Sequence, residues 1–226
     1  MSKHLHRDMD QLHRDVLSLS ALVEDMIDKA SRALRERRND LADEVAEADN
    51  HVDQQEVAIE EECLKMLALH QPVAVDLRRV ATVLKVNNDL ERIADLAVNI
   101  ADRARTVNDY PEFKIPEKLD RMVLQATQMV RGALDAFVNL DSLEARQVLK
   151  SDDIVDDYNI EIISDLQEVM QQENRLVIPA LHCFSATRHI ERIGDLATNI
   201  AEDVIYLVEG EIVRHKHKQD VVGLPG

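Results

Sequence analysis

Carboxylates recur at helical spacing in four places along this chain. Glu91, Asp95, Asn99 and Asp102 follow one another at intervals of three or four residues, and so do Glu191, Asp195, Asn199 and Glu202. A third series is Asp49, Asp53, Glu56 and Glu60, and a fourth is Asp152, Asp156 and Asn159. An α-helix turns about 100° per residue, so side chains at this spacing lie nearly in line along one stripe. Like charges stacked in that way destabilise a bare helix, so something must offset them. All-oxygen ligand sets suit hard cations such as iron(III), Mg²⁺ or Mn²⁺. The alternative is neutralisation by Arg92, Arg103, Arg188 and Arg192 in surface ion pairs. Spacing alone leaves both readings open.

Other reactive constellations are missing from the sequence. Cys63 and Cys183 belong to no CxxC or Cys/His cluster, which fits free, partly buried thiols in a reducing compartment. There is no GxSxG, no Walker lysine and no Cys/His nucleophile pair. With five Gly in the chain, two of them close to its end, a backbone phosphate cradle has little to work with. Di-iron carboxylate enzymes need Glu-x-x-His repeats facing a bundle interior. No His here has Glu three residues before it, and Asp10-Gln-Leu-His13 is a single variant. The remaining histidines read as scattered: His51 as exposed, His189 as packed or solvated, and His215 and His217 as part of a polar tail. The residues therefore argue against an enzyme.

The elements that must position the stripes are helices. Gly and Pro number five each, aromatics make up 3% and helix formers dominate, so the fold class is all-α. Apolar periodicity predicts a helix over roughly 5–37, with Leu12, Val16, Leu19, Val23, Met26, Ile27, Ala30 and Leu34 on one face and a break at Asn39-Asp40. A second runs to about His70, where Gln71-Pro72 ends it, and a third covers about 75–106. Residues 108–116 hold two prolines and read as a linker. Further helices are expected over about 117–139, from Asp141 or Ser142 as N-cap to about 172, and from about 174 to Gly210. The polar remainder, 211–226, follows. On the third helix Leu90, Ala94, Ala97 and Ala101 point away from the acids, which places the stripe outside the core.

Residues 91–101 read ERIADLAVNIA and residues 191–201 read ERIGDLATNIA, with nine of eleven positions identical. Upstream, Asp49–Asp53 is echoed by Asp152–Asp156; the offset is 100 in the first case and 103 in the second. Two matches in the same order indicate a duplicated unit. The chain then consists of tandem three-helix bundles, one within 1–107 and one within 117–210. Recurrence of the acids in both halves favours a metal or partner site over incidental surface charge.

A formal net charge of −17 repels nucleic-acid phosphates and anionic lipid. No nucleic-acid partner is expected. Met1–His6 carries no apolar signal core, and no apolar run approaches the roughly 20 residues that a spanning helix needs. The expected location is the cytoplasm, without direct membrane insertion.

Pro72-Val-Ala-Val-Asp-Leu-Arg78, Leu90–Asp95 and Asn99-Ile-Ala101 resemble the first half of the phosphate-uptake regulator (PhoU) family. His189–Asp195, Ala197–Glu202 and Val213-Arg-His215 resemble the second half. The resemblance covers nearly the whole chain and keeps the family's motif order. It implies a pair of three-helix bundles, often forming a homodimer. It also implies E(D)xxxD motifs that hold multinuclear iron or zinc clusters in some members, at Asp49 and Asp53, Glu91 and Asp95, Asp152 and Asp156, Glu191 and Asp195, with Asn99 and Asn199 beside them. The implied role is negative regulation of the phosphate-starvation response and modulation of phosphate uptake. In that role the chain is an adaptor between the ATPase of the phosphate ABC transporter and a sensor histidine kinase, associated peripherally with the membrane through them. A carboxylate-based metal buffer is the alternative. Two departures stand out. Leu196, whose repeat mate is Leu96, occupies a place where the family's second half often has His, which removes a zinc ligand. Asp76 and Arg78 have no counterpart after Pro179.

Overall fold

The computed structural model describes residues 3–213. Its six long helices are α1 (Lys3–Arg35), α2 (Asn39–His70), α3 (Ala74–Asn108), α4 (Lys118–Asn139), α5 (Ser142–Gln172) and α6 (Val177–Glu209). A short 3₁₀ turn, Asn174–Leu176, leads into α6. Among the described residues there is no strand, and no helix is long and apolar enough to cross a membrane.

Helix ends follow local chemistry. Asp141 caps α5, its carboxylate accepting from the Leu143 and Glu144 N–H groups at 2.8 and 3.1 Å. Gln71 closes α2 in the left-handed region and donates its N–H to the Leu67 carbonyl. The first break differs from the expectation at Asn39-Asp40. Those residues begin α2, and the chain turns one step earlier, where Arg37 takes φ of 56°. Arg37 is fixed there because its guanidinium donates to the Val107 and Phe113 carbonyls at 3.0 and 2.6 Å. The same contact ties down the linker, whose Phe113 is buried. The residues from 211 read as polar, but Val213 is buried; His215 and His217 lie outside the described residues.

α1, α2 and α3 pack mutually, as do α4, α5 and α6, and the most extensive pairing of all is α3 against α6. All eight apolar residues of the α1 face are buried, and so are Leu90, Ala94, Ala97 and Ala101 of α3. Small residues let α3 and α6 approach closely. The two run antiparallel, because Lys85 on the early part of α3 pairs with Asp203 on the late part of α6 at 2.9 Å. Residues 100 apart in the repeat are thus related by an approximate two-fold through the seam.

Glycine matters at two points. Gly210 ends α6 with φ of 77°, and a Cβ there would collide with the Arg78 guanidinium. Gly210→Ala is expected to destabilise by about 1–2 kcal/mol, the cost of a left-handed Cβ; thermal melting checks it. Gly194 is helical, and a Cβ would meet Val155 at 3.5 Å and Met129 at 3.7 Å, which is ordinary packing. Its repeat mate is Ala94. Gly194→Ala should therefore stabilise by about 0.5–1 kcal/mol through lost freedom in the unfolded chain, read as a higher urea midpoint.

Candidate functional site

The fold sets the acid stripes of each hairpin face to face. In the first bundle Glu91 and Asp49 are half-buried, while Asp53 and Asp95 are exposed. Burial, then the charges of Asp53 and Asp95, pushes the Asp49 carboxyl up. Burial, then Asp95, Glu56, Asp53 and Asp49, pushes Glu91 up. α2 and α3 therefore present acids within mutual electrostatic reach.

The second bundle repeats this more strongly. Burial, reinforced by Asp156, Asp195, Asp153 and Glu191, raises Asp152 to about 6. Glu191 is also raised by burial and Asp195, although Arg188 and Arg192 pull the other way. Arg188 donates to Glu191 Oε1 at 3.2 Å, while the buried Glu191 Oε2 has no hydrogen-bond partner. The arginines do only part of the neutralising that the sequence allowed. Arg92 pairs with Asp89 at 3.3 Å rather than with the stripe, and Arg103 faces the histidines of α6.

A groove of about 1760 Å³ runs along the α3–α6 seam. It gathers Asp152, Asp156, Glu191 and Asp195 of the second bundle with Asp95 and Asn99 of the first, and Asn199 also lines it. Leu96 and Leu196 line it as well. The lining carries nine acidic residues against four basic ones, so the groove is strongly electronegative. Asp49, Asp53 and Glu91 lie outside it. Asn99 donates its side-chain N–H to the Asp95 carbonyl at 2.8 Å, and Thr198 caps the Asp195 carbonyl at 2.7 Å. Asn159, read from spacing as part of an exposed stripe, is instead buried. Among the described residues, no three or more His, Cys, Asp or Glu side chains converge in an array ready to hold a metal ion.

Two buried polar residues near the acids were not picked out by spacing. Asp203 is buried and bonded to Lys85. Its signal was a charged residue on the apolar stripe of Leu196, Ile200 and Leu207. Asn87, also buried, donates to the Glu56 carbonyl at 2.9 Å and to its carboxylate at 3.3 Å, holding α3 to α2 beside the acids. It too lies on a core stripe, between Val83 and Leu90.

With this geometry the chain can be set beside known proteins. The family model described as PhoU domain matches residues 16–104 and again 119–204. The chain is 38% identical over 213 residues to the phosphate-specific transport system accessory protein PhoU homolog of Aquifex aeolicus, covering 94% of this chain and 96% of that protein. It is 32% identical over 219 residues to the phosphate-specific transport system accessory protein PhoU of Escherichia coli, covering 95% and 91%. The crystal structure of PhoU from Pseudomonas aeruginosa superposes with a TM-score of 0.87 at 36% identity, over 91% of this chain and 99% of that one. Duplicated bundles, paired acid stripes and full-length relatives lead to one assignment: the chain belongs to the PhoU family.

Proposed function

We propose that this chain is an accessory regulator of phosphate transport that restrains the phosphate-starvation response. It acts as an adaptor between the ATPase of the phosphate ABC transporter and a sensor histidine kinase, and modulates phosphate uptake. The observation that carries this reading is the electronegative α3–α6 groove, built from both halves of a rigid helical scaffold. Such a surface selects basic partner segments and speeds their encounter by charge complementarity. The family's named relatives support the transport role. The chain works as a cytoplasmic homodimer and reaches the membrane only through its partners.

The same residues support a non-enzymatic role. Both cysteines are buried, and burial pushes each thiol up to about 12, far from a reactive thiolate.

The donor set fits a hard cation. It is all oxygen and mutually repelling, burial and then neighbouring acids raise Glu91 and Asp152, and Glu191 Oε2 is buried without a partner. Asp49, Asp53, Glu91 and Asp95 would hold an ion in the first bundle, and Asp152, Asp156, Glu191 and Asp195 in the second, with Asn99 and Asn199 adjoining. When bound, an iron, zinc, Mg²⁺ or Mn²⁺ ion supplies positive charge to each cluster. The lack of a His at Leu96 and Leu196 favours iron, Mg²⁺ or Mn²⁺ over zinc. Chelator-treated protein titrated with Mn²⁺ should show a melting temperature that rises with metal. Loss of that rise in Asp152→Asn/Asp156→Asn would place the ion in the second bundle. An unchanged melting temperature in the parent protein would remove the metal from the account and leave direct docking of a basic partner.

A further inference from the structure

The approximate two-fold maps one end of the α3–α6 seam onto the other, and the two ends carry opposite charge. At one end Asp89 and Asp203 flank Lys85, which donates to Asp203 at 2.9 Å. At the other end the repeat-related residues are His189, Arg103 and Ser185, with His182 where the first end has Thr82. The two acids are replaced by an imidazole and a guanidinium, and the long cation between them by a short hydroxyl.

This second end is left unsatisfied. Arg103 Nε, His182 Nδ1 and His189 Nδ1 are all buried, and none has a hydrogen-bond partner. Ser185 Oγ lies 3.3 Å from His189 Nε2, which orients that ring. His182, Ser185 and His189 share one face of α6 at helical spacing, and the Arg103 charge on α3 acts on both imidazoles. Buried polar groups in folded proteins are nearly always paired, so several orphaned nitrogens at one place ask for a partner, and an acceptor serves Arg103 Nε and each ring nitrogen that carries a proton. Each of the four residues is half-buried, so part of each side chain stays open to solvent although the orphaned nitrogens themselves do not.

We infer that Arg103, His182, Ser185 and His189 form a binding site for a tetrahedral oxyanion of the inorganic phosphate class. The fit is chemical. A guanidinium, two imidazoles and a hydroxyl supply donors from two helices in different directions, which suits a tetrahedral acceptor better than a planar carboxylate. The site uses side chains only, so it needs no glycine-rich loop. It uses none of the residues of the carboxylate clusters.

The test is titration of the intact protein with inorganic phosphate at fixed pH and at ionic strength matched with chloride. Calorimetry and the imidazole ¹H–¹⁵N resonances of His182 and His189 are the readouts. Saturable binding of one phosphate per chain, with both resonances moving, is expected. Ser185→Ala, which removes the hydroxyl donor, should weaken binding severalfold while helicity and melting are retained. Arg103→Gln, which removes the charge, should weaken it at least tenfold and covers the case where the alanine variant misfolds. Acetate should leave the resonances in place. The inference is overturned if neither resonance responds to millimolar phosphate, if both variants bind as the parent does, or if acetate shifts the rings equally.

Discussion

A quadruple variant, Glu91→Gln/Asp95→Asn/Glu191→Gln/Asp195→Asn, is expected to lose regulation while keeping its fold. In a strain lacking the parent gene it should leave a phosphate-starvation reporter close to the deletion level in ample phosphate. The wild-type gene should return it to a low level. The reasoning runs from charge to docking. Each neutralised carboxylate removes a partner from a basic surface or from a bound cation, and truncating one side of a desolvated charge pair costs about 2–5 kcal/mol of binding. Even the lower value is more than tenfold in affinity, and four such changes leave no functional complex. Folding should be unharmed, because the substitutions relieve repulsion: Asp95 and Asp195 are exposed, and Glu91 is held up in pKa by burial and then by neighbouring acids. Circular dichroism and thermal melting should match or exceed the parent. A variant that melts like the parent and still represses the reporter would separate these acids from regulation.

The second large effect is on stability and its pH dependence. Asp152→Asn should stabilise the metal-free protein near pH 7 by about 1–2 kcal/mol. The Asp152 carboxyl is raised from 3.8 to about 6, first by burial and then by Asp156, Asp195, Asp153 and Glu191. A raised folded pKa means that the native state holds the proton more tightly than the unfolded chain. Stability from this group is therefore complete below about pH 4 and falls as pH rises through 6. Each pKa unit corresponds to about 1.4 kcal/mol, reduced here because the group is partly exposed and screened. The asparagine variant lacks the charged form, so its advantage should grow between pH 4 and 6 and stay constant above. Urea denaturation at pH 4, 5, 6 and 7.5 would show this. An advantage that is equal at all four pH values would assign the effect to packing rather than to charge.

Much of this was legible in the sequence because periodicity and burial agree along the helices. The α1 face from Leu12 to Leu34 is buried as its spacing demands, and the Asp141 cap is where its side-chain chemistry places it. The repeat announced the duplicated domain, and the facing of the α2 and α3 stripes followed from the hairpin. Other features needed the third dimension. Arg37 rather than Asn39-Asp40 makes the first turn, because its partners are carbonyls some 70 residues away in sequence. Asn159 shares the acids' spacing but lies on the inward edge of the stripe, where α6 covers it. The groove itself could not be read from one half alone, since it exists only where α3 and α6 cross. Charge inversion across that seam was likewise invisible until Lys85 and Asp203 fixed which residues oppose one another.

The most direct test of the central claim is alkaline phosphatase expression in a deletion strain grown in ample phosphate. The account predicts high expression without the gene and low expression when the intact gene is restored. Low expression in the deletion strain would contradict the regulator reading and make metal handling by the carboxylate clusters the function to pursue.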